Sequence, residues 1–307
     1  MTPNTVDMAA PFRWLARAFD VGRRNPKALF GALALVLAVV FALAIVQTVM
    51  QAGAAGNVTG LAVVMALGTV ISWLVVPPLF GGMFRVLDAV ERGRPVVSTD
   101  VFNAYGQGQG GKRLVLTNLV YSLAYMAVLA LFLLTSLGQF FREYFTIIMA
   151  TPVGAEPDQA ALIALMQATP PTAFLWMPVL AVVVVAWLHA SMLAQATAAL
   201  REASVAECVV AGLLAMLRNV LPLLVFSLAM TIAGFVLVLL LFLLVGLVIG
   251  LLSLLSPLLG MVVILPVMGI TMLATYALMF GFYYHAWRGI FDDEPEATPA
   301  VPGEIAV

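Results

Sequence analysis

Charged side chains are scarce in this 307-residue sequence: Asp, Glu, Lys and Arg make up 9% of it, whereas soluble domains carry roughly 25%. Hydrophobic residues make up 64%. This balance excludes an ordinary soluble domain and predicts a membrane protein. The 14 basic and 15 acidic residues give a net charge of −1, so nucleic acid is not expected as a partner.

Cysteine and histidine are almost absent as well. The single Cys208 excludes an internal disulfide, and no Cys/His cluster has the spacing of a metal site. No stretch pairs a nucleophile with a base or brings two carboxylates together, as an active site requires. The sequence therefore predicts no catalytic residue, no metal and no cofactor, and a protein that is not an enzyme.

One glycine-rich stretch, GQGQGGKR at 106–113, nearly matches two phosphate-binding motifs, GxGxxG and GxxxxGK. A working P-loop needs a preceding strand and a Ser or Thr after the Lys. Here Arg113 follows Lys112, and the next residues begin an apolar run. We therefore expect no nucleotide binding, and we expect Lys112 and Arg113 to anchor the chain near anionic headgroups.

Charge-free runs define the predicted membrane helices, because a helix needs about 20 apolar residues to cross about 30 Å of hydrocarbon. Four such runs occur, and the first and last are long enough for two helices each. The six predicted spans are 28–50, 60–83, 114–137, 174–200, 220–245 and 260–287. The predicted fold is an all-α, polytopic bundle of six transmembrane helices.

The predicted transmembrane domain covers 28–290, between an amphipathic leader at 1–27 and an acidic, Pro-rich tail at 291–307. All Lys and Arg residues except Arg142 fall on one side of the six spans, which predicts that both termini are cytoplasmic. The AGA at 52–54 looks like a signal-peptidase site. The apolar run before it is longer than a signal peptide's, so we expect an uncleaved first span.

The leader contains a short amphipathic helix with Phe12, Leu15, Ala16 and Phe19 on one face. Such a helix can lie in the membrane interface with Trp14 at headgroup depth. Packing beneath the bundle is the simpler expectation, and a lipid or partner contact is the alternative.

Similar joins precede three of the spans: GRRNPKALF before the first, GGKRLVLTN before the third and MLRNVLPLL before the fifth. The returning spans each carry proline. These features suggest three helical hairpins, each introduced by a short interfacial helix on the cytoplasmic side. Apolar low-complexity sequence would produce some of this similarity by itself, so the repeat is a hypothesis.

Few polar side chains fall inside the predicted spans. His189, Gln195, Tyr276 and His285 could line a polar cavity, or they could hydrogen-bond between helices. No Asp or Glu lies inside any predicted span, so a proton- or cation-coupled transporter would lack its usual carboxylate. Hydrogen bonding between helices or interfacial anchoring is therefore the favoured interpretation.

A charged cluster is predicted where the second span leaves the membrane. Asp88 stands one helical turn from both Arg85 and Arg92, which favours local ion pairs. A functional role would apply to charges within the membrane. At the boundary, a structural role is the simpler expectation.

RRNP before the first span, PPLFGGMFRVLDAVERGRP closing the second and DVFNAYG before the third resemble a family of uncharacterised bacterial inner-membrane proteins. The pattern is also distantly similar to the six-helix membrane domain found beside glycerophosphodiester phosphodiesterases. The resemblance implies an all-helical bundle in the bacterial cytoplasmic membrane, and it supplies no catalytic residue.

The leading hypothesis is a non-enzymatic component that binds membrane lipids or supports other membrane proteins, with a membrane-protein partner or a homo-oligomer as further options. The alternative is a transporter of an amphiphilic or uncharged solute, gated by the proline-bearing spans. A membrane enzyme, the third hypothesis, would need His189 or His285 beside Arg85 or Asp88 in one cavity.

Overall fold

The computed structural model describes residues 2–54, 57–151, 156–253 and 256–291, and this part of the chain is helical throughout, without strands. Two 3₁₀ helices lie at Ser98–Tyr105 and Pro171–Leu175. The α-helices are α1 (Ala10–Ala18), α2 (Pro26–Gly53), α3 (Val58–Glu91), α4 (Gly111–Phe132), α5 (Ser136–Ala150), α6 (Gln159–Ala168), α7 (Trp176–Leu200), α8 (Val205–Arg218), α9 (Val220–Ser253) and α10 (Pro257–Phe291). Nearly all of the predicted tail lies outside the described residues.

Among the described residues, five helices are long and apolar enough to cross a membrane, and a sixth span arises if α8 and the start of α9, which meet at 78°, count as one bent span. The chain is therefore a multi-pass membrane protein. The predicted third span was wrong at its end: α4 stops at Phe132, and the Thr135 side chain caps the new helix α5 by accepting from the Gly138 N–H at 3.2 Å.

Local sequence signals set several helix starts. At α2, the Asn25 side chain accepts a hydrogen bond from the Ala28 N–H at 3.1 Å, and Pro26 occupies the first turn, where its missing N–H costs nothing. At α8, Ser204 and Glu207 form a reciprocal capping box. Each capped start fixes where a span or its preceding helix begins.

The helices are arranged around a central trio. The helices α3, α7 and α10 contact one another, and each of the other long helices contacts two members of the trio. Thus α2 contacts α3 and α10, α4 contacts α3 and α7, and α9 contacts α7 and α10.

A short helix precedes each of α2, α4 and α9, as the hairpin hypothesis predicted. The second and third of these short helices pack on the preceding hairpin. The first 3₁₀ helix packs on α2 and α3, and α8 packs on α4 and α7. The helix α1 packs on α9 and α10, so the third hairpin also has a short helix packed on it. All three hairpins therefore follow one plan of contacts, which supports the hypothesis of a repeat.

Small residues allow these short helices to approach closely. A Cβ added at Gly82 of α3 would lie 1.9 Å from the Val101 carbonyl oxygen of the first 3₁₀ helix, and one at Gly212 of α8 would lie 2.3 Å from the Ala190 oxygen of α7. A Cβ at Gly289 of α10 would meet the Trp14 ring at 2.7 Å. Each of the three crossings thus depends on a glycine.

The helix α1 packs on α9 and α10, as the favoured interpretation expected, but the apolar face predicted from the sequence is not the buried one. Phe12 and Phe19 are 42% and 68% exposed, whereas Ala10, Trp14 and Ala18, which are spaced by one helical turn, are buried. Trp14 is 1% exposed and packs edge-on against Phe282 at 6.1 Å. The Trp14 ring lies against Gly289 of α10, so it is buried within the protein.

Candidate functional site

The buried core and most of the charged residues lie at one end of the bundle, here called the basic end. There α3, α7 and α10 finish, and α2 and α4 begin: the Arg24 guanidinium donates to the Glu91 carbonyl at the end of α3, and Ser98 donates to the Lys27 carbonyl at 3.0 Å. At the opposite end, large apolar side chains such as Ile45, Val63 and Leu131 are more than half exposed.

Two arginines hold the end of α7 at the basic end. Arg85 of α3 donates through Nε to the Ala199 carbonyl at 2.9 Å, and Arg113 of α4 donates to the Ala198 carbonyl through Nε at 3.0 Å and Nη2 at 2.8 Å. The last carbonyls of a helix lack partners within it, and they carry partial negative charge. The arginines therefore satisfy α7 and join it to α3 and α4.

The predicted ion-pair cluster is confirmed for Arg92 and wrong for Arg85. The Asp88 carboxylate accepts from Arg92 Nε at 2.8 Å, from Arg94, and from the Tyr284 hydroxyl of α10 at 3.0 Å. Arg85 instead donates to the carbonyls of Ala199 on α7 and Gln109 in the glycine-rich loop. Asp88 thus links α3 to α10 at a largely buried position.

The predicted polar residues of the spans lie apart. His189 of α7 bonds to Ser227 of α9 at 2.7 Å and to the Tyr283 hydroxyl of α10 at 3.1 Å. The Gln195 amide donates to the Leu114 carbonyl of α4 at 3.1 Å. These contacts agree with the prediction of hydrogen bonds between helices.

The two remaining residues of this group are on α10. The Tyr276 ring packs near Phe280 at 6.4 Å, and His285 Nε2 is buried without a hydrogen-bond partner among the described residues. None of the four predicted residues lines either of the two cavities at the basic end.

The larger of these cavities, about 760 Å³, lies between α3, α4 and the start of α8, under the glycine-rich loop that follows the first 3₁₀ helix. Its apolar side is formed by spanning helices, and its polar side by the loop and adjoining residues. The apolar lining includes Leu74, Pro78, Val115 and Leu116. The polar lining includes Gly106, Gln107, Gly108, Gly110, Gly111, Lys112, Arg113 and Ser204.

Two adjacent prolines shape the membrane side of this cavity. Pro77 and Pro78 have no N–H, so α3 cannot make the bonds that would end on the carbonyls of Trp73 and Leu74. The Tyr105 hydroxyl donates to the neighbouring Val75 carbonyl. Partial burial raises the pKa of Tyr105 to about 12, so this hydroxyl stays a donor at neutral pH.

A second cavity, about 360 Å³, adjoins the first. The two share Gly108, Gly110 and Arg113, and the second is also lined by Arg85, Arg201 and Glu202. Its lining is mainly charged side chains and backbone, in contrast with the apolar side of the larger cavity. Together they form one amphipathic space that extends from charged groups to spanning helices.

No family of known sequences, no characterised protein and no solved structure matches the chain.

Sequence reasoning identified the glycine-rich stretch but not the cavity. The prediction had Lys112 and Arg113 as anchors, and Arg113 in fact bonds within the protein. Two segments of the sequence could have indicated the cavity: the two prolines at 77–78 in α3, and the glycines at 106–111 before α4. Both disrupt regular backbone structure, and both are near the connection between α3 and α4. Within the described part of the chain, no three His, Cys, Asp or Glu side chains could hold a metal ion.

Proposed function

We propose that the protein is a non-enzymatic, lipid-binding component of a bacterial cytoplasmic membrane, with both termini in the cytoplasm. The main support for this proposal is the amphipathic cavity of about 760 Å³ beneath the glycine-rich loop. Its volume falls within the range of roughly 300–1,000 Å³ that small-molecule pockets occupy.

The two sides of the cavity match the two parts of a lipid. Leu74 is 55% exposed on α3, within a helix of spanning length, so it faces the acyl chains of the surrounding bilayer. On the other side, Lys112 supplies a positive charge beside polar backbone. A lipid could lay its chains along Leu74, Val115 and Leu116 while its headgroup occupies the loop.

A lipid-binding role is favoured over transport by the positions of the polar groups in the bundle. His189 bonds to side chains of α9 and α10, the Gln195 amide donates to α4, and neither residue lines one of the two cavities. The polar space lies instead at the basic end, where a headgroup would be.

Native mass spectrometry of the full chain in mild detergent tests this proposal. We expect the wild type to retain copurified lipid, and Leu116→Trp to reduce the retained fraction several-fold because the indole fills the apolar side. Leu123→Trp is the matched control, since Leu123 lies on the same helix at 52% exposure outside the cavity lining. Val115→Trp provides a second blocking variant.

A wild-type protein that emerges without lipid overturns the proposal. So does equal retention in the wild type and both blocking variants, once thermal unfolding shows that each variant is folded. Loss of lipid in Leu123→Trp to the same degree would also contradict it, because the effect would then not belong to the cavity.

A further inference from the structure

We infer that the two cavities bind the phosphate of an anionic phospholipid where they meet, at the glycine-rich loop between Lys112, Arg85 and Arg113. This inference rests on the proposed lipid-binding function, and it names the class of headgroup. A zwitterionic lipid carries a cation beside its phosphate, which the basic residues would repel.

The geometry brings two guanidinium groups to one point of the loop. A Cβ added at Gly110 would lie 3.1 Å from Arg113 Nη2 and 3.3 Å from Arg85 Nη2. Both groups therefore surround Gly110, which is shared by the two cavities. Two like charges held this close repel each other unless an anion offsets them.

No carboxylate in the described part of the chain forms an ion pair with Arg85, Lys112 or Arg113. Besides these three cations, the cavity linings contain the carboxylate of Glu202 and Arg201, whose guanidinium stacks over the Trp287 ring at 5.4 Å from the ring centroid. The space is therefore strongly positive, and an anionic ligand would complete it.

Both arginines are held in place with hydrogen-bond donors to spare. Arg85 donates to the carbonyls of Ala199 and Gln109, and Arg113 donates to those of Ala198 and Ala203. A guanidinium has five N–H donors, so neither group is exhausted by these bonds. A group fixed by backbone carbonyls in this way is preorganised for charge-assisted bonds to phosphate oxygens.

The loop leaves room for the ligand. A Cβ at Gly108 would meet nothing within 4 Å, and Lys112 is exposed beside it with its ammonium available as a point charge. From this point the larger cavity continues along Val115 and Leu116. The apolar continuation favours a phosphate that belongs to a lipid over one that is free in solution.

Ligand-induced thermal stabilisation of the full chain in mild detergent tests the headgroup. The probes are phosphatidylglycerol, phosphatidylcholine with the same acyl chains, and inorganic phosphate. A thiol-reactive dye reports unfolding through Cys208, which is fully buried and is the only cysteine. We expect phosphatidylglycerol to raise the unfolding midpoint more than phosphatidylcholine, and inorganic phosphate to have little effect at matched concentration.

Lys112→Gln should weaken the apparent affinity for phosphatidylglycerol roughly fivefold, the size expected for one basic residue near an anionic lipid. Lys27→Gln is the matched control, because Lys27 is an exposed lysine at the same end and lines neither cavity. It should bind phosphatidylglycerol as the wild type does. Neither change removes a described side-chain bond, so both proteins should fold.

Equal stabilisation by the two phospholipids overturns the inference and leaves the proposed function standing. Stabilisation by neither lipid overturns both. A full effect of inorganic phosphate alone overturns the assignment to a lipid and identifies a site for free phosphate. Equal weakening by Lys112→Gln and Lys27→Gln also counts against the inference, because the effect would then reflect general surface charge.

Discussion

Gly82→Ala is the change for which the structure sets the clearest expectation. The added Cβ would lie 1.9 Å from the Val101 carbonyl oxygen and 2.8 Å from the carbonyl carbon. Ordinary contact begins at 3.4 Å, so one helix would have to move by about 1.5 Å. Both obstructing atoms belong to backbone and cannot rotate away.

Overpacking of a filled interior costs roughly 1–3 kcal/mol. Since backbone obstructs Gly82 on the opposing helix, we expect a loss of about 3 kcal/mol in the free energy of unfolding. A Gly to Ala change in a helix otherwise gains roughly 0.5–1 kcal/mol. Gly234→Ala in α9 is the control, because a Cβ there meets nothing within 4 Å.

Thermal unfolding in detergent, followed by dye reaction with Cys208, compares the two variants. Gly82→Ala should unfold well below the wild type, and Gly234→Ala at or slightly above it. If both variants share one midpoint, the close approach of α3 to the first 3₁₀ helix is refuted, and with it one of the three glycine crossings.

Two further changes test other contacts. Asn219→Ala removes side-chain hydrogen bonds to the Val6 N–H at 2.8 Å and to the Asn4 carbonyl at 3.0 Å. Limited proteolysis should therefore cut the N-terminal segment faster than in the wild type. Asn4→Ala is the control: it keeps these backbone groups, so it should not change the rate of cleavage. Tyr105→Phe should lower the unfolding midpoint slightly at pH 7. The pKa of Tyr105 is higher in the folded than in the unfolded protein. The difference in unfolding midpoint between wild type and variant should therefore be fully present below pH 10 and vanish as the pH rises towards about 12. A difference that persists above pH 12 would show that the hydroxyl hydrogen bond is not its cause.

The membrane helices could be predicted because span length and absence of charge are properties of the chain itself. The stop at Phe132 was missed because the run continues apolar beyond it, and only the Thr135 cap marks the break. Where capping chemistry is weak against a uniform apolar background, helix ends are poorly predicted.

Side-chain direction around the helices was harder to predict than the helices themselves. In α7 and α10 apolar residues lie on all faces, so no periodicity shows which side is inward, and His189, Gln195 and His285 could not be placed relative to one another. Local spacing found the pair of Asp88 with Arg92, but it could not reveal that Arg85 has α7 as a nearer partner. The cavity was missed for the same reason, because segments distant in sequence form it.

The packing of α1 on the last hairpin has a consequence for biosynthesis. The helix α1 is made before α10, against which Trp14 is buried. At roughly 5–20 residues per second, the interval is on the order of 10–50 s. Until α10 is made, the Trp14 face lacks the partner on which it is finally buried, and the membrane surface is a nearby apolar environment. The helix α1 therefore reaches its final position only after α10 has been made.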